Sequence, residues 1–173
     1  MKVIAFAASS SKKSINKQLA SYAVRQLENV DSEVLDLNDY ELPIFSEDKE
    51  AELGQPAPAK AFLEKIAQSD TVIISFAEHN GSYSVAYKNL FDWCSRINPK
   101  VYENKKVVFL ATSPGPGGGA SVLAAATASA PYFGADVKGS LSVPSFYDNF
   151  DMESRQIKNA EIREQLVGIL NSL

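Results

Sequence analysis

The chain holds a single cysteine, Cys94, and a single histidine, His79. One cysteine excludes an internal disulfide, and this pair is too small a set of soft ligands for a zinc or iron–sulfur centre, so no metal site is expected. Long hydrophobic runs are missing too. The first apolar stretch, KVIAFA (Lys2 to Ala7), is shorter than a membrane span or the apolar region of a signal peptide, and no small-residue cleavage context follows it. The expectation is a cytoplasmic protein with no membrane partner. Basic charge is scarce: 17 Lys and Arg against 21 Asp and Glu leave a net charge of -4. Without a basic patch or run, nucleic acid is not expected as a partner. The G-x-S-x-G elbow of a hydrolase is absent, as are the G-x-x-x-x-G-K-[ST] and G-x-G-x-x-G fingerprints.

What is present is an ordinary globular composition, 45% hydrophobic and 22% charged over 173 residues, which fits one domain without repeats or low-complexity segments. KVIAFA reads as a strand, and Ile15, Leu19, Tyr22, Ala23 and Leu27 then recur at helical spacing. SEVLDL (Ser32 to Leu37) alternates like a second strand. After the long mixed stretch Asn38 to Pro56, a helix opens at the prolines. TVIISFA (Thr71 to Ala77) and KVVFLA (Lys106 to Ala111) are continuous apolar runs of the kind found inside a parallel sheet. Helical spacing returns in AYKNLFDWCSRI between them and in the alanine-rich segment after Gly119, and DVKGSLSV and an amphipathic terminal helix follow. Strand and helix alternating five times predict a doubly wound α/β sheet, because parallel strands need crossovers and those crossovers are right-handed.

In such a sheet ligands bind beyond the carboxyl ends of the strands, so the loops after strands one, three and four belong together. The first, AASSSKKSIN (Ala7 to Asn16), packs four serines and two lysines into the turn before a helix N-terminus. Unpaired N–H groups and the positive dipole end favour an anion there, with Ser9, Ser11 and Ser14 adding hydroxyl donors and Lys12 or Lys13 adding charge. The same serines would also serve simply as helix caps. The second loop is EHNGSYS and the third TSPGPGGGAS, whose glycines permit close backbone approach or simply a tight irregular turn. His79 lacks the serine–acid partners of a hydrolase, which leaves it packing or flanking a ligand. Cys94 falls within the apolar spacing of its helix, as a buried structural thiol would. Trp93, Phe91 and Tyr87 cover more than one face of that helix and suggest a partner surface as well as a core. Phe146, Tyr147 and Phe150 are read as packing, with a place bordering the site left open.

These residues carry a resemblance to the NAD(P)H-dependent FMN reductases of the flavodoxin-like superfamily, the group of bacterial quinone, azo-dye and chromate reductases. AEHNGSYSVAYKNLFDW (Ala77 to Trp93) is similar to the family pattern P-E-Y-N-x-S-x-P-G-x-L-K-N-x-x-D-W. Glu78, Asn80, Gly81, Lys88, Asn89, Asp92 and Trp93 agree in order and spacing. Ala77, His79, Ser84 and Val85 depart from it, and the resemblance puts all four at the ring edge. The first loop resembles the family's G-S-x-R-x-x-S-x-N turn, with Ala8 for the glycine and Ser11 for the arginine.

The resemblance implies a flavodoxin-like α/β sandwich with a five-stranded parallel sheet in strand order 2-1-3-4-5. It implies FMN as cofactor and NADPH or NADH as co-substrate. The phosphate turn would be Ser9, Ser11, Lys12, Ser14, Ile15 and Asn16. The ring would meet Ala77, Glu78, His79, Asn80 and Gly81 on one side and Ser113, Pro114, Gly115 and Gly118 on the other. The implied reaction is hydride transfer from NAD(P)H to FMN and on to a quinone or similar small-molecule electron acceptor, with no catalytic side chain, in a homodimer or homotetramer formed through the Trp93 helix. Two rivals share the fold: an electron carrier or sensor without pyridine-nucleotide activity, and a flavodoxin-like domain that has lost FMN.

Overall fold

The computed structural model describes residues 1–173. The strands of its main sheet are β1 (Lys2–Ala8), β2 (Asp31–Leu35), β3 (Thr71–Phe76), β4 (Lys106–Thr112) and β5 (Asp136–Val143), and two short hairpins lie outside it. Its α-helices are α1 (Ile15–Arg25), α2 (Glu47–Leu53), α3 (Ala57–Ala67), α4 (Val85–Ile97), α5 (Ala120–Ser129), α6 (Phe146–Asn149) and α7 (Ala160–Leu170). The strands form one sheet in the order β2-β1-β3-β4-β5, every neighbouring pair parallel. This is the flavodoxin-like arrangement that the resemblance implied.

Successive strand residues point to opposite faces, so a strand buried on both sides must be apolar throughout. Ile4 and Phe6 of β1, Val72, Ile74 and Phe76 of β3, and Val107 and Phe109 of β4 enter one core with α3, α4 and α5. Their alternates, Val3, Ala5, Ile73, Val108 and Leu110, enter the other with α1 and α7. The terminal helix therefore packs on the sheet, as its amphipathic spacing predicts.

Three local differences from the expectation have physical causes. β2 ends at Leu35, not Leu37, because the Asp36 side chain accepts from the Asn38 N–H and opens a short 3₁₀ turn, Leu37–Tyr40. The mixed stretch contains α2, capped by Ser46 but with no buried residue, so it has no apolar stripe to betray it. Trp93 is 1% exposed, which corrects its reading as a partner surface. Its Nε1 donates to the Pro43 carbonyl at 2.8 Å and its ring meets Phe45 edge-on at 5.1 Å, so the chain's own Pro43–Phe45 segment covers it. Asn89 completes that clamp, accepting from the Phe45 N–H and donating to the Leu42 and Pro43 carbonyls.

Cys94 is buried as expected; burial pushes its thiol up to about 12, far from a thiolate at neutral pH. The chain leaves β1 outward to β2 and then returns across β1 to β3. Strand order thus reverses between β1 and β3, and their carboxyl ends open the crevice where this class of sheet binds ligands.

Candidate functional site

A cleft of about 250 Å³ lies at those carboxyl ends, lined from all three predicted loops. The first loop contributes Ser9, Ser11, Lys13, Ser14, Ile15 and Asn16, the second Ala77, Glu78 and His79, and the end of β4 with the third loop Thr112, Ser113 and Pro114. One more residue, Tyr147, reaches it from beyond β5.

The first loop is shaped by its serines. Ser14 is the N-cap of α1, its Oγ accepting from the Lys17 N–H at 3.2 Å, and Ser9 Oγ accepts from the Ser11 N–H at 3.2 Å. No acidic residue occupies the first turn of α1, so nothing in the helix itself neutralises its positive end. Ser9 and Ser14 are only 7% and 6% exposed, yet neither hydroxyl donates to any acceptor in the chain. The other buried serine and threonine hydroxyls all donate: Ser69 to Ile66 O, Ser75 to Asn16 Oδ1, Ser84 to Ala8 O, Thr112 to Val143 O and Thr71 to the Met1 sulfur. Buried donors are normally paired, and these two, one just after β1 and one at the N-cap of α1, both line the cleft with a proton to offer.

Asn16 behaves differently from its neighbours. Its Nδ2 donates to the Thr112 carbonyl at 3.1 Å, while its Oδ1 accepts from the Thr112 N–H at 3.1 Å and the Ser75 hydroxyl at 2.7 Å. Thr112 Oγ1 donates onward to Val143 O at 2.6 Å. One buried network thus ties the start of α1 to β3, β4 and β5, fixing the first loop against the third. The Asn16 side chain is committed to that role, leaving its backbone N–H for a ligand.

Asp36 braces the first loop from behind. It pairs with Lys17 at 2.5 Å and accepts from Asn38, whose Nδ2 also donates to the Ser10 carbonyl. Its carboxyl sits below the usual range, chiefly through the Lys17 hydrogen bond and then the Asn38 N–H.

The second loop is a hairpin, Glu78–His79 paired with Ser82–Tyr83 around Asn80 and Gly81. Both turn residues have positive φ, 53° and 76°, as a two-residue type I′ turn requires. Asn80 and Gly81 are therefore turn formers, and the cleft is not lined by them. Glu78 Oε2 accepts from the Val122 N–H at 2.8 Å, capping α5, whose N-cap is the side-chain-less Gly119. That bond locks the second loop to the third.

In the third loop Ser113 and Pro114 face the cleft, whereas Gly115 and Gly118 do not. Gly118 has φ +58°, and a Cβ there would lie 2.4 Å from Ser142 Oγ and 3.0 Å from the Pro144 backbone. Its glycine serves close packing against the end of β5. Gly115 is engaged through its carbonyl, which accepts from the Ser145 N–H at 2.9 Å.

Thirteen residues line the cleft, and ten of them are among those the sequence nominated. Lys12 does not line it; the adjacent Lys13 does. Lys13 is the alternative that the first loop leaves open, Tyr147 belongs to the segment whose place at the site the sequence leaves open, and Thr112 is the one lining residue the sequence does not point to. Ser84 caps α4 and donates to Ala8 O at 2.7 Å, so this departure from the family pattern is a buried brace, not an edge of the cleft.

The donor set fits FMN. The lining brings Ser9, Ser11, Ser14, the start of α1 and Lys13, the donors a phosphate needs, into one cleft with Ala77–His79 and Thr112–Pro114, the strand-end segments a flat polar ring would lie against.

Comparison with known proteins agrees with this geometry. Residues 1–148 match the family model described as NADPH-dependent FMN reductase. The chain is 30% identical over 148 residues to an uncharacterised protein of Mycoplasma pneumoniae, covering 83% of this chain and 87% of that one. It is 36% identical over 80 residues to the quinone reductase of Escherichia coli K12, a match spanning 46% of this chain and 43% of the other. In three dimensions it resembles FerB, a flavoenzyme NAD(P)H:(acceptor) oxidoreductase from Paracoccus denitrificans, with a TM-score of 0.77 at 22% identity over 99% of this chain and 93% of that one. The chain belongs to the NADPH-dependent FMN reductase family, flavin-dependent oxidoreductases that draw electrons from NAD(P)H.

Proposed function

We propose that the cleft binds FMN with its phosphate at the start of α1, and that the protein passes electrons from NADPH or NADH to a quinone or similar small acceptor. The observation that carries this reading is the cleft's pair of buried hydroxyls without an acceptor, on Ser9 after β1 and on Ser14 at the N-cap of α1, a helix end with no acidic residue, with Lys13 in the same lining. The quinone reductases of E. coli and Arabidopsis thaliana among its relatives support the acceptor class.

When bound, FMN supplies the hydride chemistry, first taking and then giving up the electron pair. The protein's part is to hold and to shape. Ser9, Ser11 and Ser14 offer hydroxyl protons, Ile15 and Asn16 offer N–H groups, and Lys13 offers charge. Ala77, Glu78 and His79 and the Ser113–Pro114 backbone set the walls, held in register by the Glu78–Val122 and Asn16–Thr112 bonds. No side chain is assigned as acid or base. Fixed backbone donors beside a site where negative charge develops stabilise it without reorganising.

The reading includes a cytoplasmic location and a homodimer or homotetramer. No helix is long and apolar enough to cross a membrane. The helix of Trp93, α4, is the face the resemblance implies for self-association, although Trp93 itself is covered within the chain.

The test is an anaerobic titration of FMN-reconstituted protein with NADPH and with NADH, followed by addition of a benzoquinone. Stoichiometric loss of the oxidised flavin absorbance, restored by quinone, is expected. Flavin that binds but does not bleach would move the protein to the electron carriers, and failure to bind FMN would refute the site.

A further inference from the structure

We propose that Tyr147 contacts the cofactor: its aromatic ring forms a wall of the FMN site, contributed by the segment that follows the sheet. The inference rests on the FMN reading of the cleft. Tyr147 is the only lining residue beyond Pro114, and apart from the imidazole of His79 it supplies the only aromatic ring in the lining.

Its backbone is pinned, and its ring touches one aromatic neighbour, Phe146, edge-on at 5.4 Å. Ser145 donates its N–H to Gly115 O at 2.9 Å and Phe146 to Ser113 O at 3.0 Å, so the segment is hydrogen-bonded onto the third loop. Asn149 Nδ2 closes the turn onto Pro144 O at 2.7 Å, and Lys158 Nζ donates to the Tyr147 carbonyl at 3.2 Å. Phe146 on one side is fully buried and stacks on Phe150 at 4.7 Å. Tyr147 between them is 58% exposed.

Ser145 adopts φ 44° and ψ 60°, a left-handed conformation that a serine holds only when its surroundings impose it. Strain of this kind concentrates where a backbone must present a side chain in one direction. Here it turns the chain so that Phe146 enters the core and Tyr147 faces the cleft. A large ring left open to water on a rigid backbone gains by covering a flat apolar surface, and FMN offers one.

FMN titration of the flavin-free protein decides it, read as the dissociation constant. Tyr147→Ala should bind FMN about tenfold more weakly, while Tyr147→Phe, which keeps the ring, should stay within about twofold of the parent. Tyr132→Ala is the control, an exposed aromatic in the turn that precedes β5, away from the cleft, and should bind as the parent does. Parent-like affinity in Tyr147→Ala, or equal weakening in Tyr132→Ala, overturns the assignment. If the parent itself does not bind FMN, the cofactor reading falls, and this inference with it.

Discussion

Replacing Asn16 with alanine removes the side chain that holds three buried groups at once. The Ser75 hydroxyl and the Thr112 N–H lose their acceptor, and the Thr112 carbonyl loses its donor. A buried polar group left unpaired costs about 1–3 kcal/mol, so three would cost roughly 3–9 if none found a substitute. The truncated side chain leaves polar space at the floor of an open cleft, where water recovers part of the loss. The expected net is about 3 kcal/mol, which for a chain of this length lowers Tm by about 6–12 °C. The assay is urea denaturation of the flavin-free protein, followed by Trp93 fluorescence and by circular dichroism, with an unchanged m-value. Flavin must be absent because a ligand that binds only the folded state adds its own stability. FMN affinity should fall too, since the first and third loops lose their common brace. A loss of less than about 1 kcal/mol in the flavin-free protein would refute the network as the reason for asparagine at this position.

Lys13→Ala should weaken FMN by about three- to tenfold and riboflavin hardly at all, because only FMN carries the phosphate, while Lys12→Ala should leave both within about twofold; equal losses for the two ligands would remove Lys13 from the phosphate end. Gly118→Ala places a methyl 2.4 Å from Ser142 Oγ at a φ of +58°, and should cost about 2–3 kcal/mol in thermal unfolding. Gly117→Ala, with open space and ordinary φ, should be neutral within about 0.5 kcal/mol. Asp36 has a lowered folded-state pKa, so its contribution is fully present above the unfolded value of about 3.9 and is lost as pH falls through the folded one. Stability of the parent minus that of Asp36→Asn should therefore hold steady near neutrality and shrink below about pH 4; a difference constant down to acid pH would count against the Lys17 pairing.

The sheet was legible because burying a strand on both faces demands a continuous apolar run, and β1, β3 and β4 each show one. α2 was not, since a helix that buries nothing carries no periodic signal. Trp93 was misread for a different reason. Its helix is apolar on two sides, and the sequence cannot say that one side is met by Pro43 and Phe45, about fifty residues earlier. The Asn-Gly pair at 80 and 81 carried a hairpin signal that its place in a family pattern obscured. Lys12 and Lys13 are chemically the same in sequence, and only the path of the turn decides which of them lines the cleft.

Residue type alone does not separate a polar group that builds a site from one that builds the fold. Ser14 and Ser84 are both N-caps, each accepting from the N–H three residues on, and each is buried. A capping count would treat them alike. The Ser84 proton, however, is spent on the Ala8 carbonyl, which fastens α4 to the end of β1, while the Ser14 proton has no acceptor. Burying an unsatisfied donor is unfavourable unless something arrives to satisfy it, so the serine whose proton has no acceptor in the chain is the one the proposed phosphate would meet. Ser9 makes the same argument one turn away, and Asn16, the residue between α1 and the strand ends, makes the opposite one: every polar atom of its side chain is already used. The proposed phosphate end of this loop is therefore found by asking where each proton goes, and the loop is held in place because the polar atoms of Asn16 and Ser84 are already committed.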